Sequence, residues 1–136
     1  MAAAVIESGI YMIQNTGTNT VLELTGGSAT DGTKLWVISQ VGTDPLYTIE
    51  NANSRTYADL TDGSAASGTP VIGSKGTGNP TQHWAFIQNA DKTAYVIKNK
   101  STGTYIDLFK GGYENGTPVN GWTVRYEKYG SLLFFT

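Results

Sequence analysis

Apolar and polar residues alternate in short stretches along this chain, and three of those stretches follow one template. The template is Tyr-x-Ile-x-Asn, which occurs at residues 11–15, 47–51 and 95–99. Alternation of this kind places every second side chain on one face of a β-strand, so each copy predicts a half-buried strand. The repeats show no helical periodicity. The pattern therefore predicts an all-β chain.

Two further elements recur at fixed distances from the first. One is a short strand ending in leucine, and the other is a turn ending in Gly-Thr. They occupy residues 21–24, 57–60 and 105–108, and residues 31–33, 67–69 and 115–117. All three elements lie 36 residues apart between the first and second copies and 48 apart between the second and third. This shared register predicts three internal repeats, at about residues 9–46, 47–94 and 95–136.

The unequal intervals locate a deletion in the first repeat. Trp36 and Trp84 each stand 11 residues before the next tyrosine template, so the twelve missing residues fall between Thr33 and Trp36. The second repeat fills that interval with a strand and a Gly/Pro-rich loop, residues 70–83. We therefore expect residues 33–36 to pass directly from one strand into the next. In the third repeat Leu132 replaces the tryptophan, which keeps the position apolar, as core packing requires.

Each repeat offers about four short strands, too few to bury its apolar face alone. Closing three such units around a pseudo-threefold axis removes the exposed strand edges. The chain of 136 residues fits one domain. The sequence thus predicts an all-β, single β-trefoil domain over residues 1–136, made of three pseudo-threefold repeats with the first shortened. Trp36 and Trp84 are expected in the shared core.

Composition narrows the function. The net charge is −2 and charged residues make up 15 %, so no basic surface exists to hold phosphates, and nucleic acid is not expected as a partner. The absence of cysteine excludes disulfides and thiolate metal sites. The single histidine, His83, has no second ligand near it in the sequence, and it is interpreted as a surface residue. We expect no metal and no cofactor.

The first seven residues lack a basic region, and their apolar run is too short for a signal peptide or a membrane span. We therefore expect a cytoplasmic protein without membrane insertion. Release by a non-classical route stays open.

The repeat motifs resemble those of a known family. They are Tyr-x-Asp-Leu, Gly-Thr-Pro-Val-x-Gly-Trp ending at Trp122, and Asn-Pro-x-Gln-x-Trp beginning at Asn79. Together they are similar to the repeat of ricin B-type β-trefoil lectins, especially the galactose-binding lectins of mushrooms, over about residues 9–135. The resemblance implies a fungal, non-enzymatic lectin that binds galactose- or N-acetylgalactosamine-type glycans.

The resemblance also implies where sugar would bind. In that family an aspartate after the second strand accepts hydroxyl hydrogen bonds, an aromatic on the neighbouring strand stacks on the sugar, and an asparagine and a glutamine complete the site. A hexose suits this set because it has directional hydroxyls and one CH-rich face. The second repeat keeps the polar half, Asp59, Asn79 and Gln82, but has Ser74 in place of the aromatic.

The third repeat keeps the other half. It retains Asp107 and the aromatic Trp122, but Glu127 and Gly130 stand where the asparagine and glutamine are due. In the first repeat Glu23 replaces the aspartate and the rest of the site falls in the deletion. All three sites are therefore expected to be degenerate, and we predict that the third repeat carries the sugar.

Structural roles remain open for several of these residues. Gln82 could be buried and tie loop backbone. Asp59 and Asp107 could cap the turns at residues 61–63 and 109–111. Trp122 is expected to be exposed, because Ser74 at the matching position would not suit a core.

Competing functions also remain. No motif joins two carboxylates or an activated nucleophile, so an enzyme is not expected. The alternative to a lectin is a non-sugar interaction protein, such as a β-trefoil protease inhibitor, because fold alone does not decide function. Glycans or glycoproteins are the expected partners, and a homodimer would raise the avidity of weak sites.

Overall fold

The structure is a computed structural model of the chain. It describes residues 3–24, 34–88, 92, 94–108, 112, 114 and 117–123, together with the backbone of residues 132–135. Within these ranges the chain forms ten β-strands. They are β1 (Gly9–Asn15), β2 (Trp36–Gln40), β3 (Tyr47–Asn51), β4 (Tyr57–Leu60), β5 (Thr69–Ser74), β6 (Trp84–Gln88), β7 (Tyr95–Asn99), β8 (Tyr105–Leu108), β9 (Val119–Trp122) and β10 (Leu132–Phe135). Two three-residue 3-10 turns, Thr61–Gly63 and Pro80–Gln82, join neighbouring strands.

The three copies of the tyrosine template form the first strand of each repeat, β1, β3 and β7. In β3 the burial alternates as the sequence predicts, with Tyr47, Ile49 and Asn51 buried and the residues between them half-exposed. The all-β prediction is confirmed.

Six strands close into a ring. Hydrogen-bonded neighbours follow the order β1, β2, β3, β6, β7, β10 and back to β1, and every pairing is antiparallel. Each of these strands therefore has a partner on both sides, which removes the exposed edges that would otherwise invite aggregation.

The register of the ring repeats three times. In each row, a tyrosine from the first strand of one repeat pairs with a residue of β2, β6 or β10, the last strands of the repeats. On its other side, that residue pairs with an asparagine from the first strand of another repeat. The three rows are Tyr11–Trp36–Asn51, Tyr47–Trp84–Asn99 and Tyr95–Leu132–Asn15. This pattern is the pseudo-threefold symmetry that the sequence intervals predict, and it confirms the β-trefoil.

The two expected core tryptophans lie in the core. Trp36 is 3 % exposed and Trp84 is fully buried. Their indole N–H groups donate to the backbone oxygens of Leu22, at 3.1 Å, and Ala58, at 3.0 Å, which occupy matching positions of two repeats. A buried indole needs such a partner for its only polar atom. The side chain of Leu132, in the third copy, lies outside the described residues.

The remaining strands form hairpins on the ring. The second and third repeats contribute β4–β5 and β8–β9, and the two hairpins pair with each other through β5 and β9. In the described part of the first repeat, Val21 forms an isolated bridge to Gln14, and β2 begins at Trp36. The shortened first repeat is consistent with this arrangement. The predicted passage through residues 33–36 includes Thr33, which lies outside the described residues.

Glycine lets the hairpins approach their neighbours closely. A Cβ atom on Gly73 would lie 2.9 Å from Cδ1 of Leu24, and one on Gly121 would lie 3.0 Å from Cδ2 of Leu60. These glycines occupy the same position of β5 and β9, so both hairpins pack on a leucine of the preceding repeat in the same way.

A buried asparagine ends the first strand of each repeat. The Oδ1 atoms of Asn15, Asn51 and Asn99 each accept hydrogen bonds from two backbone N–H groups of the following turn, at 2.8 to 3.2 Å. Each turn also holds one residue with positive φ, namely Asn19, Arg55 or Gly103. The asparagine side chain thus replaces water for amides that turn away from the sheet.

We predict that Asn51→Ala lowers the free energy of unfolding by about 1–3 kcal/mol, because it leaves the amides of Asn53 and Ser54 without their acceptor at a partly buried site. Urea denaturation measures the change. Asn53→Ala is the matched control, since Asn53 is exposed in the same turn, and it should change stability by no more than about 0.5 kcal/mol. Equal losses from both variants would contradict the role assigned to Asn51.

Candidate functional site

Three of the candidate site residues, Asp59, Asp107 and Trp122, lie on the strands of the two hairpins. Asp59 lies in β4 between the buried Ala58 and Leu60, and it faces outward together with Tyr57. Asp107 holds the matching position in β8, with Tyr105 two residues before it. Strand alternation alone therefore puts an aromatic and a carboxylate side by side on each hairpin.

In the second repeat Gln82 is part of the scaffold. It is 2 % exposed, and its Nε2 donates to the backbone oxygen of Lys75 at 2.8 Å and to Oδ2 of Asp59 at 3.1 Å. Its Oε1 accepts the backbone N–H of Thr77 at 3.1 Å. The structure thus shows the loop-tying role for Gln82, and it also shows that Gln82 orients Asp59. A direct role of Gln82 in sugar binding stays a prediction.

Asn79 lies at the exposed tip of the loop that Gln82 ties down. Its backbone N–H donates to Oγ1 of Thr77 at 3.1 Å, and its carbonyl accepts the N–H of Gln82 at 2.9 Å. Its side chain makes no capping hydrogen bond to the 3-10 turn that follows. The loop geometry therefore fixes the backbone of Asn79, and its side-chain amide faces a solvated surface.

Asp59 does not cap the turn that follows it, so that interpretation is wrong. Its Oδ1 accepts the N–H of Leu60, the neighbouring residue, at 2.8 Å. The turn at residues 61–63 closes instead through the N–H of Ser64, which donates to the oxygen of Thr61 at 3.1 Å. The corresponding turn after Asp107, residues 109–111, lies outside the described residues.

The aromatic position differs between the hairpins. Ser74 pairs with Tyr57, and Trp122 pairs with Tyr105 at the same register. A Cβ atom on Gly76 would lie 2.8 Å from Cε2 of Tyr57, so the loop after β5 packs its backbone against that ring. In the second repeat the surface beside Asp59 is therefore partly covered by the protein's own loop.

Trp122 is half-buried, and the expectation that it is exposed is wrong. Its backbone pairs directly with that of Tyr105, and cross-strand neighbours on one face lie about 5 Å apart at Cβ. A side chain as large as an indole lying beside such a neighbour loses part of its surface to contact.

The third-repeat hairpin brings Asp107 and Trp122 together. Asp107 pairs with Asn120, two residues before Trp122, so the two candidate residues are diagonal neighbours on one face, about 7–8 Å apart. The residues opposite the two aspartates differ in polarity and exposure. Ile72, opposite Asp59, is 42 % exposed, whereas Asn120, opposite Asp107, is 7 % exposed.

Burial raises the pKa of the Asp107 carboxyl above its ordinary value of 3.8, and the hydrogen bond from the Leu108 N–H opposes the shift in part.

Asn120 was not identified from the sequence. Its position matches Ile72 of the second repeat, but only the strand register reveals that it lies opposite Asp107. Glu127 and Gly130, which replace the amide residues of the second repeat, lie outside the described residues.

The other candidate features do not add to this surface. Glu23 of the first repeat is exposed. His83 is half-buried, and its carbonyl accepts the N–H of Lys100 at 2.9 Å. Among the described residues no three His, Cys, Asp or Glu side chains cluster as a metal site would require. The same part of the chain contains no helix with the length and apolar character of a membrane span.

Comparisons with known proteins agree with this fold. Residues 33–122 match the family model described as "Ricin-type beta-trefoil lectin domain-like". No curated protein matches the chain.

Three solved structures superpose closely. A lectin of Polyporus squamosus, solved with the epitope Neu5Acα2-6Galβ1-4GlcNAc, is 31 % identical over 96 % of this chain, with a TM-score of 0.80. This chain covers only 50 % of that lectin. The ricin B-like lectin of Macrolepiota procera, solved with lactose, is 22 % identical over 96 % of this chain and 97 % of its own, with a TM-score of 0.79. An exo-β-1,3-galactanase of Clostridium thermocellum is 23 % identical over 97 % of this chain and 31 % of its own, with a TM-score of 0.81.

We predict that Asp107→Asn stabilises the fold at neutral pH. The raised pKa means that the folded chain binds the carboxyl proton more tightly than the unfolded chain does. Protonation therefore stabilises the fold below pH 3.8, and this stabilisation is lost as the pH rises through the raised value. Asparagine carries a neutral amide of the same size, so the variant does not lose this stability as the pH rises. Urea denaturation should therefore give the variant the higher free energy of unfolding at pH 7 and nearly equal values at pH 3.

Asp62→Asn is the control for loss of one negative charge, because Asp62 is exposed and its positive φ suits asparagine. A destabilising effect of Asp107→Asn at pH 7 would contradict the assigned cost of burying the carboxylate.

Proposed function

Because the chain belongs to the ricin-type β-trefoil lectin domain-like family, we propose that it is a carbohydrate-binding lectin whose working site is the outer face of the third-repeat hairpin. The predicted resemblance to ricin B-type lectins is confirmed by this match. The sugar proposed for the site is a galactose- or N-acetylgalactosamine-type glycan, and the sites of all three repeats are proposed to be degenerate.

One observation carries the proposal, namely that Asp107 and Trp122 are diagonal neighbours on one face of one hairpin. The carboxylate offers acceptors for two adjacent hydroxyls, and the indole offers a flat apolar surface to the CH-rich face of a pyranose. Their separation of about 7–8 Å leaves room for one sugar ring between acceptor and aromatic.

The second repeat is the weaker candidate. Its carboxylate, Asp59, already accepts hydrogen bonds from Leu60 and Gln82, and Ser74 offers no stacking surface. Hydrogen bonds to sugar replace hydrogen bonds to water and are worth about 0.5–1.5 kcal/mol net each. A stacking surface adds the removal of apolar area from water, at roughly 25 cal/mol per Å². Losing the aromatic therefore costs the second repeat more than losing the amides costs the third.

The solved relatives support a galactoside. The Polyporus lectin was solved with an epitope that contains Galβ1-4GlcNAc and the Macrolepiota lectin with lactose, and each of these sugars contains galactose. This chain corresponds to about half of the Polyporus lectin. Sugar binding is therefore proposed here for the trefoil alone.

We propose that the trefoil itself is not an enzyme. It corresponds to 31 % of the galactanase chain. Its two candidate carboxylates, Asp59 and Asp107, lie in different hairpins, whereas glycoside hydrolysis requires two carboxyl groups about 5–10 Å apart across one bond.

A non-sugar interaction protein is the second candidate. The observation that favours it is Ile72, which is 42 % exposed directly opposite Asp59. An exposed aliphatic side chain suits a protein partner better than a hydroxyl-rich ring. A β-trefoil protease inhibitor is one protein of this kind.

Each surviving site keeps half of the family's contacts, so we propose that its affinity is on the order of millimolar, or about −4 kcal/mol. A homodimer would present several such sites and bind glycoproteins with useful avidity. A cytoplasmic location remains part of this proposal.

We predict that Trp122→Ala removes binding of methyl β-galactoside and N-acetylgalactosamine, since it removes the stacking surface. NMR titration of the ¹⁵N-labelled protein measures the effect, and the dispersion of the spectrum verifies folding. Asn79→Ala is the control and should leave the dissociation constant within about threefold, or roughly 0.6 kcal/mol. Loss of binding in Asn79→Ala alone would move the site to the second repeat. No shift with either sugar in the unmodified protein would favour the interaction protein.

The converse substitution completes this test. Ser74→Trp restores an aromatic opposite Tyr57, beside Asp59, which Gln82 already orients. If the aromatic decides which repeat binds, this variant should bind galactoside with shifts in β4 and β5 as well as in β8 and β9. Shifts confined to β8 and β9 would mean that the loop packed against Tyr57 also excludes sugar.

A further inference from the structure

A cation and two aromatics stand in one row across the third repeat. Lys98 of β7 pairs with Tyr105 of β8, and Tyr105 pairs with Trp122 of β9. Cross-strand partners project from the same face of a sheet. The row therefore extends the surface of Trp122 across two further strands, ending at an ammonium group.

The ammonium group of Lys98 lies over the ring of Tyr105. Nζ of Lys98 lies 5.6 Å from the centroid of the Tyr105 ring, within the range of a cation–π contact. Lys98 is half-exposed. The ion pair found among the described residues joins Arg55 and Glu50, so within this part of the chain Lys98 forms no direct salt bridge.

The matching row of the second repeat begins with an acidic residue instead of a basic one. Glu50 pairs with Tyr57, and Tyr57 pairs with Ser74. Glu50 is itself neutralised by Arg55, whose Nε donates to Oε2 at 3.2 Å. The change from Glu50 to Lys98 thus reverses the charge at one end of the row in the repeat that also carries the tryptophan.

We propose that Lys98 makes the third-repeat site selective for anionic galactosides, in which a sulfate or a sialic acid carboxylate extends from a galactose stacked on Trp122. The proposal rests on the proposed lectin function. The strands of Lys98 and Trp122 are two strand spacings apart, or about 10 Å. The acidic group is therefore carried on a substituent or on an adjoining sugar, which lies over Tyr105 and reaches the ammonium.

The selectivity is modest by its physics. An ion pair at an exposed surface is worth about 0.2–1 kcal/mol, which corresponds to at most about a fivefold change in affinity, and salt screens it. We expect 6′-sulfated lactose and α2-6-sialyllactose to bind about three- to fivefold more tightly than lactose in about 20 mM salt, because salt screens charges only weakly at this ionic strength. The preference should disappear near 0.5 M salt, where the screening length is a few ångström.

The test compares these three ligands by NMR titration in four proteins: the unmodified chain, Lys98→Gln, Lys98→Arg and Lys100→Gln. Lys100 is the matched control, because it is exposed, lies two residues from Lys98 and loses the same charge. Lys98→Gln should bind all three ligands equally, while Lys98→Arg and Lys100→Gln should keep the preference. The ratio of anionic to neutral affinity is the readout, since a purely structural loss at Tyr105 would weaken all three ligands together.

The outcomes separate this inference from the proposed function. Binding of lactose without preference for either anionic ligand overturns the selectivity and leaves the lectin function in place. A preference that survives in Lys98→Gln overturns the assignment to Lys98. Absence of binding by all three ligands overturns the lectin function, and the inference with it. A preference for only one anionic ligand identifies whether sulfate or sialic acid is the recognised group.

Discussion

Closure of six strands into one ring is the constraint on which the rest of this structure depends. A ring of antiparallel strands closes only if every repeat presents the same register to its neighbours, and the rows of tyrosine, tryptophan or leucine, and asparagine supply that register three times. The buried asparagines then satisfy the turn amides at each strand end. Because these positions hold the barrel together, they recur in all three repeats.

The hairpin faces are under no such constraint, and they have diverged. The second repeat uses its glutamine to orient an aspartate and hold a loop, which fixes a polar surface but leaves no aromatic beside it. The third repeat places Asp107 beside a tryptophan and a tyrosine, at the cost of partly burying a carboxyl whose pKa rises in consequence. A group that costs stability in the fold and faces a stacking surface is typical of a binding site.

The sequence predicts the barrel well and the site only in part. The tyrosine template identified β1, β3 and β7, and the recurrence of Trp36 and Trp84 identified core residues, because periodicity reports directly on which side of a strand faces inward. The half-burial of Trp122 and the position of Asn120 opposite Asp107 depend on contacts between strands far apart along the chain. The hydrogen bond from Leu60 to Asp59 depends on a rotamer, which periodicity does not encode.

Sugar binding at Trp122 can be followed directly through the three tryptophan indole N–H resonances. The indoles of Trp36 and Trp84 donate to core carbonyls and should not respond to a ligand. Addition of methyl β-galactoside to the ¹⁵N-labelled protein should shift the Trp122 indole resonance, together with amides of β8 and β9. An unshifted Trp122 indole, with ligand-induced shifts confined to residues 57–60 and 74–82, would contradict binding at Trp122 and place the sugar in the second repeat.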